Sequence, residues 1–202
     1  MAVLEFWFDF ASTYSYPAAL RVEERAAQRG LDLVWRPFLL GPIFAEQGWS
    51  DSPFNLYPAK GRYMWLDMQR LCRARSIPFT RPGSFPRNGL LAARLACCFE
   101  AEAWLPDFVR AVYRANFADD LDISEPAVIQ YCLGCNDANF DAKLARAQSP
   151  ENKARLREQT ARAMQLGIFG APSFTVGDEL FWGNERLEQA LDRAAGGRLG
   201  EK

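Results

Sequence analysis

Apolar positions along the chain fall into three patterns. Residues 3–10, Val-Leu-Glu-Phe-Trp-Phe-Asp-Phe, form an aromatic, β-prone run too short for a helix, and predict a buried strand. Residues 14–29 set Ala19, Val22 and Ala26 on one face and charges elsewhere, then stop at Gly30, which predicts one amphipathic helix with a glycine C-terminal cap. Residues 31–38 alternate as a second strand. A strand–helix–strand unit of this length favours parallel pairing through a right-handed crossover. Residues 39–58 are rich in Gly, Pro and aromatics and read as a loop; a loop this long in a compact domain is functional or disordered, and its aromatics argue against disorder.

From Lys60 onward the period changes to helical. Segments 60–76, 88–103, 106–118, 124–133 and 137–146 are separated or opened by Pro78, Pro82, Pro86, Pro106 and Pro126. Ser149-Pro150 supplies an N-cap and a proline at the first helical position for a helix reaching about Leu166. The tail returns to β. Residues 173–176 and 179–182 flank Gly177-Asp178 as a hairpin, and Gly183-Asn184 precedes a final helix over 185–194. The fold class is therefore α/β: one mixed sheet assembled from both ends of the chain, with an all-helical insertion. The expected division is 1–40 plus 167–202 for the sheet-bearing domain and 41–166 for the insertion.

Composition narrows the functions. The 202 residues are 49% hydrophobic with a formal net charge of −1, enough for a sizeable core and without the basic bias of a general nucleic-acid or anionic-membrane binder. No stretch reaches the ~20 apolar residues of a membrane span; residues 90–99 come nearest and are broken by Arg94. The N-terminal run carries Glu5 and Asp9 and no basic leader, so a cytoplasmic protein is expected. Histidine is absent, which removes Ser-His-Asp triads, Cys-His pairs and histidine-bound metals; no metal site is expected. Five cysteines, an odd number, argue against a disulfide framework.

The candidate chemistry lies where the first strand ends. Phe10-Ala11 gives way to Ser12-Thr13-Tyr14-Ser15, a strand-to-helix corner at which thioredoxin-type disulfide oxidoreductases carry Cys-x-x-Cys. Both cysteines of that frame are serines here, so dithiol chemistry at the corner is impossible. Two readings of Ser12 stand: a helix N-cap, or a hydroxyl that holds a thiolate of another molecule beside helix amides. Pro172, directly before the late strand, is an ordinary strand start or the cis-proline that faces such a corner. Ala171 would then offer its backbone to a peptide-like ligand. Asn184 is an N-cap or a carboxylate binder.

Together these segments resemble the 2-hydroxychromene-2-carboxylate isomerase family and, more distantly, the kappa-class glutathione transferases, both relatives of DsbA. The resemblance rests on the Phe8-Asp9-Phe10-x-Ser12-x-x-Ser15-Tyr16 start, Lys60-x-x-Tyr63-x-x-x-Asp67-x-Gln69-Arg70, Ile77-Pro78, Phe169-Gly170-x-Pro172 and Trp182-Gly183-Asn184-x-Arg186-Leu187. It implies a thioredoxin-like fold of DsbA/kappa type, glutathione as cofactor, a small-molecule substrate and a homodimer. It implies roles as well. Ser12 would bind the glutathione sulfur, and Ala171 beside Pro172 the cysteinyl unit. Asn184 and Glu185 would take the γ-glutamyl end, and Lys60 the glycyl carboxylate or an acidic substrate. Asn55 and Tyr63 are expected at the substrate. Family members often have Pro where this chain has Thr13 and Asp where it has Glu185, and the 47–58 loop differs from that of the characterised isomerases.

The reaction so implied is cis–trans isomerisation or ring opening of an aromatic keto acid by transient thiolate addition. Alternatives are a kappa-like glutathione transferase or a non-catalytic glutathione-binding protein; a dithiol oxidoreductase fits least. Cys132-x-x-Cys135 sits at a predicted helix end, without a second pair or histidine, and reads as packing or a regulatory disulfide. Cys72, Cys97 and Cys98 read as small buried hydrophobes. Asp9 is expected to tie to the following helix N-terminus and Asp67 to pair with Arg or Lys in its helix. Phe44, Trp49, Phe54 and Tyr57, with Tyr63 and Trp65, either line a pocket for a flat substrate or fill the interface between the two subdomains.

Overall fold

Strand β1 (Leu4–Phe8) is the strand around which the sheet is built, and it is buried on both faces. Leu4, Phe6 and Phe8 point into the main core, whereas Trp7 points the other way, into a smaller cluster with Phe38, Ile43, Ala163 and Ile168. The computed structural model describes residues 3–134 and 139–196. Within them the sheet order is β2-β1-β3-β4, where β2 is Leu33–Pro37, β3 Ser173–Val176 and β4 Glu179–Trp182. β1 pairs parallel with β2 and antiparallel with β3, and β3 and β4 form the expected hairpin. Register places Phe6 opposite both Trp35 and Phe174, with ring centroids 5.3 and 5.4 Å apart, so one aromatic row crosses three strands.

Between β1 and β2 the expected single helix is two: α1 (Ser15–Ala19) and α2 (Val22–Ala27). The break has a local cause. The Pro17 carbonyl, to which the Arg21 amide would donate in a continuous helix, accepts from the Arg21 Nε at 2.9 Å instead. The Arg21 amide donates to Ala18 at 3.0 Å, a tighter turn that ends α1. Gly30 ends the unit with φ +64°, as the C-terminal glycine predicts.

Residues 39–58 are a second correction. They hold α3 (Leu40–Glu46) and α4 (Pro53–Leu56) in place of a continuous loop. Ser52 caps α4 by accepting the Phe54 amide at 3.3 Å. The remaining helices are α5 (Pro58–Ala74), α6 (Leu90–Cys98), α7 (Leu105–Phe117), α8 (Pro126–Cys132), α9 (Phe140–Ala147) and α10 (Pro150–Gln165). Ser149 caps α10 as expected, accepting the Asn152 amide at 3.2 Å. After β4 comes a 3₁₀ turn, Asn184–Arg186, and then α11 (Leu187–Ala194). Asn184 is thus the first residue of that turn and makes no side-chain cap to it. Among the described residues no helix is long and apolar enough to cross a membrane.

One contact fixes how the 50s segment lies on α5. Gly61, in the first turn of α5, faces the Phe54 backbone carbonyl so closely that any Cβ would overlap that oxygen. Gly61→Ala is expected to push α4 off α5 and cost about 1–3 kcal/mol, the usual range for overpacking. Thermal unfolding should then show a loss of roughly 2–4 °C per kcal/mol. Gly41→Ala in α3, where nothing lies within 4 Å of the new methyl, is the matched control and should hold its midpoint. Equal midpoints for the two variants would contradict the packing account.

Candidate functional site

Where β1 ends, its backbone must turn inside the core, so each polar group needs a partner. The Asp9 carbonyl accepts the Tyr113 hydroxyl at 2.8 Å and the Ser12 amide at 2.9 Å. The Phe10 carbonyl accepts the Asn116 side-chain amide at 3.1 Å. Both Tyr113 and Asn116 are on α7. The Asp9 carboxylate is buried and accepts the Ala11 amide at 2.7 Å and the Leu40 amide at 2.8 Å. It therefore ties the corner to the start of α3, not to the helix that follows it as expected. Burial pushes the Asp9 carboxyl above its ordinary range, with the two amide bonds acting against that.

Ser12 is buried, and its hydroxyl donates to the Ala171 carbonyl across the corner at 2.8 Å while accepting the Ser15 amide at 3.3 Å. The Ala171–Pro172 peptide is cis. A cleft of about 1010 Å³ opens beside this pair. Ser12, Lys60, Ala171, Asn184 and Glu185 all line it, so five of the expected residues converge on one space; Pro172 lies directly behind Ala171. Asn55 and Tyr63 are not brought to it. The Asn55 amide is used on Asp51 at 2.9 Å and the Phe85 carbonyl at 3.1 Å, and Tyr63 is exposed to solvent.

Three of the six expected aromatics take the pocket alternative, and Trp65 and Tyr57 pack within the insertion. Phe44, Trp49 and Phe54 line the cleft together with Phe85. Trp65 packs behind the wall against Phe85, with centroids 5.0 Å apart. Tyr57 packs on Trp49 and has the Lys60 ammonium 4.9 Å above its ring.

One stripe of α5 forms a wall of the cleft: Lys60, Asp67 and Leu71, with Arg75 at the helix end. The corner is bonded to that stripe twice. The Thr13 hydroxyl donates to the Met64 sulfur at 3.2 Å, and the Tyr14 hydroxyl donates to the Asp67 carboxylate at 2.9 Å. Asp67 thus pairs with Tyr14 and not with a cation of its own helix. Burial first, then the Asp67 hydrogen bond and charge, push the Tyr14 phenol far above its ordinary range, so it stays a donor. Arg75 and the Phe169–Trp182 ring pair, 4.7 Å apart, were not foreseen in the cleft. The Lys60-to-Arg75 spacing along one helix face was the available signal for Arg75. Gly170 seats the Trp182 indole, since any Cβ there would overlap Nε1.

The thiols stay outside this chemistry. Cys72, Cys97, Cys98 and Cys132 are free and buried, and burial pushes Cys72 and Cys97 up to about 11 and Cys132 up to about 12. Cys135, the other half of the Cys-x-x-Cys, lies outside the described residues.

Residues 3–195 match the DSBA-like thioredoxin domain family. The 2-hydroxychromene-2-carboxylate isomerase of Pseudomonas putida is 30% identical, with 95% of each chain covered. Human glutathione S-transferase kappa 1 is 26% identical over 92% of this chain and 87% of its own. A solved 2-hydroxychromene-2-carboxylate isomerase superposes with a TM-score of 0.78 at 28% identity, covering 96% of this chain and 94% of that one.

The raised Asp9 carboxyl gives a pH signature. The native state keeps this proton to a higher pH than the unfolded chain, so the Asp9 contribution falls as pH rises between the two values. Urea unfolding of wild type and Asp9→Asn between about pH 4 and 7 should show wild type losing stability relative to the variant as pH rises. A relative gain would mean that the two amide bonds outweigh burial.

Proposed function

The chain belongs to the DSBA-like thioredoxin domain family, and from that premise we propose that it is a glutathione-dependent isomerase of the 2-hydroxychromene-2-carboxylate isomerase type, acting on an aromatic, unsaturated keto acid. The observation that carries the reading is the Ser12 hydroxyl, 2.8 Å from the Ala171 carbonyl and lining the same cleft as Lys60, Asn184 and Glu185. A serine at this corner cannot exchange disulfides, yet it can donate to a sulfur. The donor set also suits the tripeptide, which carries two carboxylates and one ammonium: Lys60 offers a cation, Asn184 an amide and Glu185 a carboxylate.

Bound glutathione would supply a nucleophilic sulfur that adds to a conjugated carbon, makes the double bond rotatable, and leaves again after rotation. The protein's own part is positional and electrostatic. With the cofactor bound, Ser12 would donate its O–H to the sulfur in place of the Ala171 carbonyl, and the backbone carbonyl and amide of Ala171 would hold the adjoining peptide unit. Hydrogen bonding carries more of this work than a helix dipole, because α1 has only five residues and its first amide is already bonded to Ser12. Lys60 faces the negative charge that develops on the substrate oxygen or holds a carboxylate. Phe44, Trp49, Phe54 and Phe85 give a flat acceptor an apolar wall.

The test is isomerisation of an aromatic enone acid, followed by absorbance, with and without glutathione. Activity should require the thiol, and Ser12→Ala should lower kcat/KM about 10- to 100-fold, the worth of one charge-assisted hydrogen bond. Full activity without any thiol would overturn the mechanism. A product that retains sulfur would make the enzyme a kappa-like transferase instead.

A further inference from the structure

We propose that Arg21 and Arg75, which belong to none of the motifs above, complete a subsite for an α-amino-acid end, an ammonium and a carboxylate on one carbon, at the Asn184 side of the cleft. The proposal rests on the glutathione reading, in which that end is γ-glutamyl.

The cleft there offers two opposite charges that do not satisfy each other. Arg75 and Glu185 both line it, both are exposed, and among the described residues neither side chain makes a hydrogen bond or an ion pair. The Glu185 carboxylate lies back over Gly183, whose φ is +110°; a Cβ there would sit 2.6 and 2.8 Å from its two oxygens. Glycine at this position is what allows the carboxylate to rest there. An ammonium suits Glu185 and a carboxylate suits Arg75.

Arg21 sets the third contact. Its Nη2 donates to the Asn184 side-chain oxygen at 2.7 Å. A guanidinium has donors only, so Asn184 must give it the oxygen and keep its NH₂ for a ligand. Asn184 is only 4% exposed yet lines the cleft, so little freedom remains for its amide to turn over. The Nε bond to Pro17 that interrupts the first helix holds the guanidinium at this point. Arg21 hydrogen-bonds no carboxylate among the described residues; burial and then the charge of Arg75 act against its own charge, with the Glu188 carboxylate acting for it. A carboxylate bound by Arg75 beside this oriented NH₂ would add to the partial compensation that Glu188 gives Arg21.

Arg21 is a positioning residue in this scheme, and Arg75 and Glu185 contact the ligand. The experiment titrates cleft tryptophan fluorescence (Trp49 and Trp182) with S-methylglutathione and with S-methyl-cysteinylglycine, which lacks the γ-glutamyl unit. Wild type should prefer S-methylglutathione. Arg75→Gln should weaken it about tenfold or more, the scale of a lost charge-assisted bond, and leave S-methyl-cysteinylglycine unchanged. Arg21→Met should show the same ligand-selective loss, and Arg21→Lys, still donor-only, should recover part of it. Equal affinity of wild type for the two ligands, or equal weakening of both by Arg75→Gln, would overturn the subsite. Equal weakening of both by Arg21→Met would remove Arg21 from it. These outcomes stand apart from the isomerase reading: isomerisation that needs glutathione but shows no such selectivity sinks only the subsite, and selectivity without isomerisation sinks only the reaction.

Discussion

Everything at the cleft depends on how the end of β1 satisfies its backbone inside the core. An open carbonyl or amide at this depth costs on the order of 1–3 kcal/mol, so the turn at residues 9–12 exists only if partners are brought to it. Tyr113 and Asn116 come from α7, and the Asp9 carboxylate supplies acceptors to Ala11 and to Leu40. The same three side chains that shape the corner, Asp9, Tyr113 and Asn116, therefore also dock α7 and α3 against it. A buried carboxylate is a costly way to do this, but it accepts one amide from its own turn and one from Leu40, 31 residues further along the chain.

Once the corner is fixed, its next residues reach outward. Ser12 crosses to Ala171, Thr13 to Met64 and Tyr14 to Asp67, so three consecutive residues span the late strand's approach and the wall of α5. The cleft is what remains between these attachments. Thr13, which stands where the resembled family often has proline, has a role of its own as the donor to Met64. The interruption between α1 and α2 belongs to the same economy: the helix gives up its regular hydrogen bond at Pro17, and Arg21 is held against Asn184.

Much of this was legible in the residues. The two-ended mixed sheet, the hairpin, the Gly30 stop and the Ser149 cap follow from local pattern alone, because each depends on neighbours within a few positions. Ser12, Lys60, Ala171, Asn184 and Glu185 meet in one cleft, as the resemblance implies. The misses share a cause: side chains that compete with or complete the backbone pattern, most of them from far along the chain. α3 has no local cap, because its first amide is held by Asp9 from another element, and so it read as loop. The two-helix form of residues 14–29 depends on an arginine side chain competing with the backbone. Asp67 found Tyr14 across 53 residues, not a cation in its own helix. α4 is the exception, since Ser52-Pro53 is the same signal as Ser149-Pro150 and was hidden only by the Gly, Pro and aromatic residues around it. Asn55 does not line the cleft, because its amide is engaged by Asp51 and by the Phe85 carbonyl 30 residues on.

The central claim is that Ser12 and its surroundings hold a borrowed sulfur as thiolate. The direct measurement is an ultraviolet titration of the thiolate absorbance of glutathione bound to the protein. A free thiol ionises near pH ~8.5, and the account predicts a clearly lower value in the wild-type complex, moving back toward the free value in Ser12→Ala. A bound thiol that titrates like free glutathione in the wild type would contradict it.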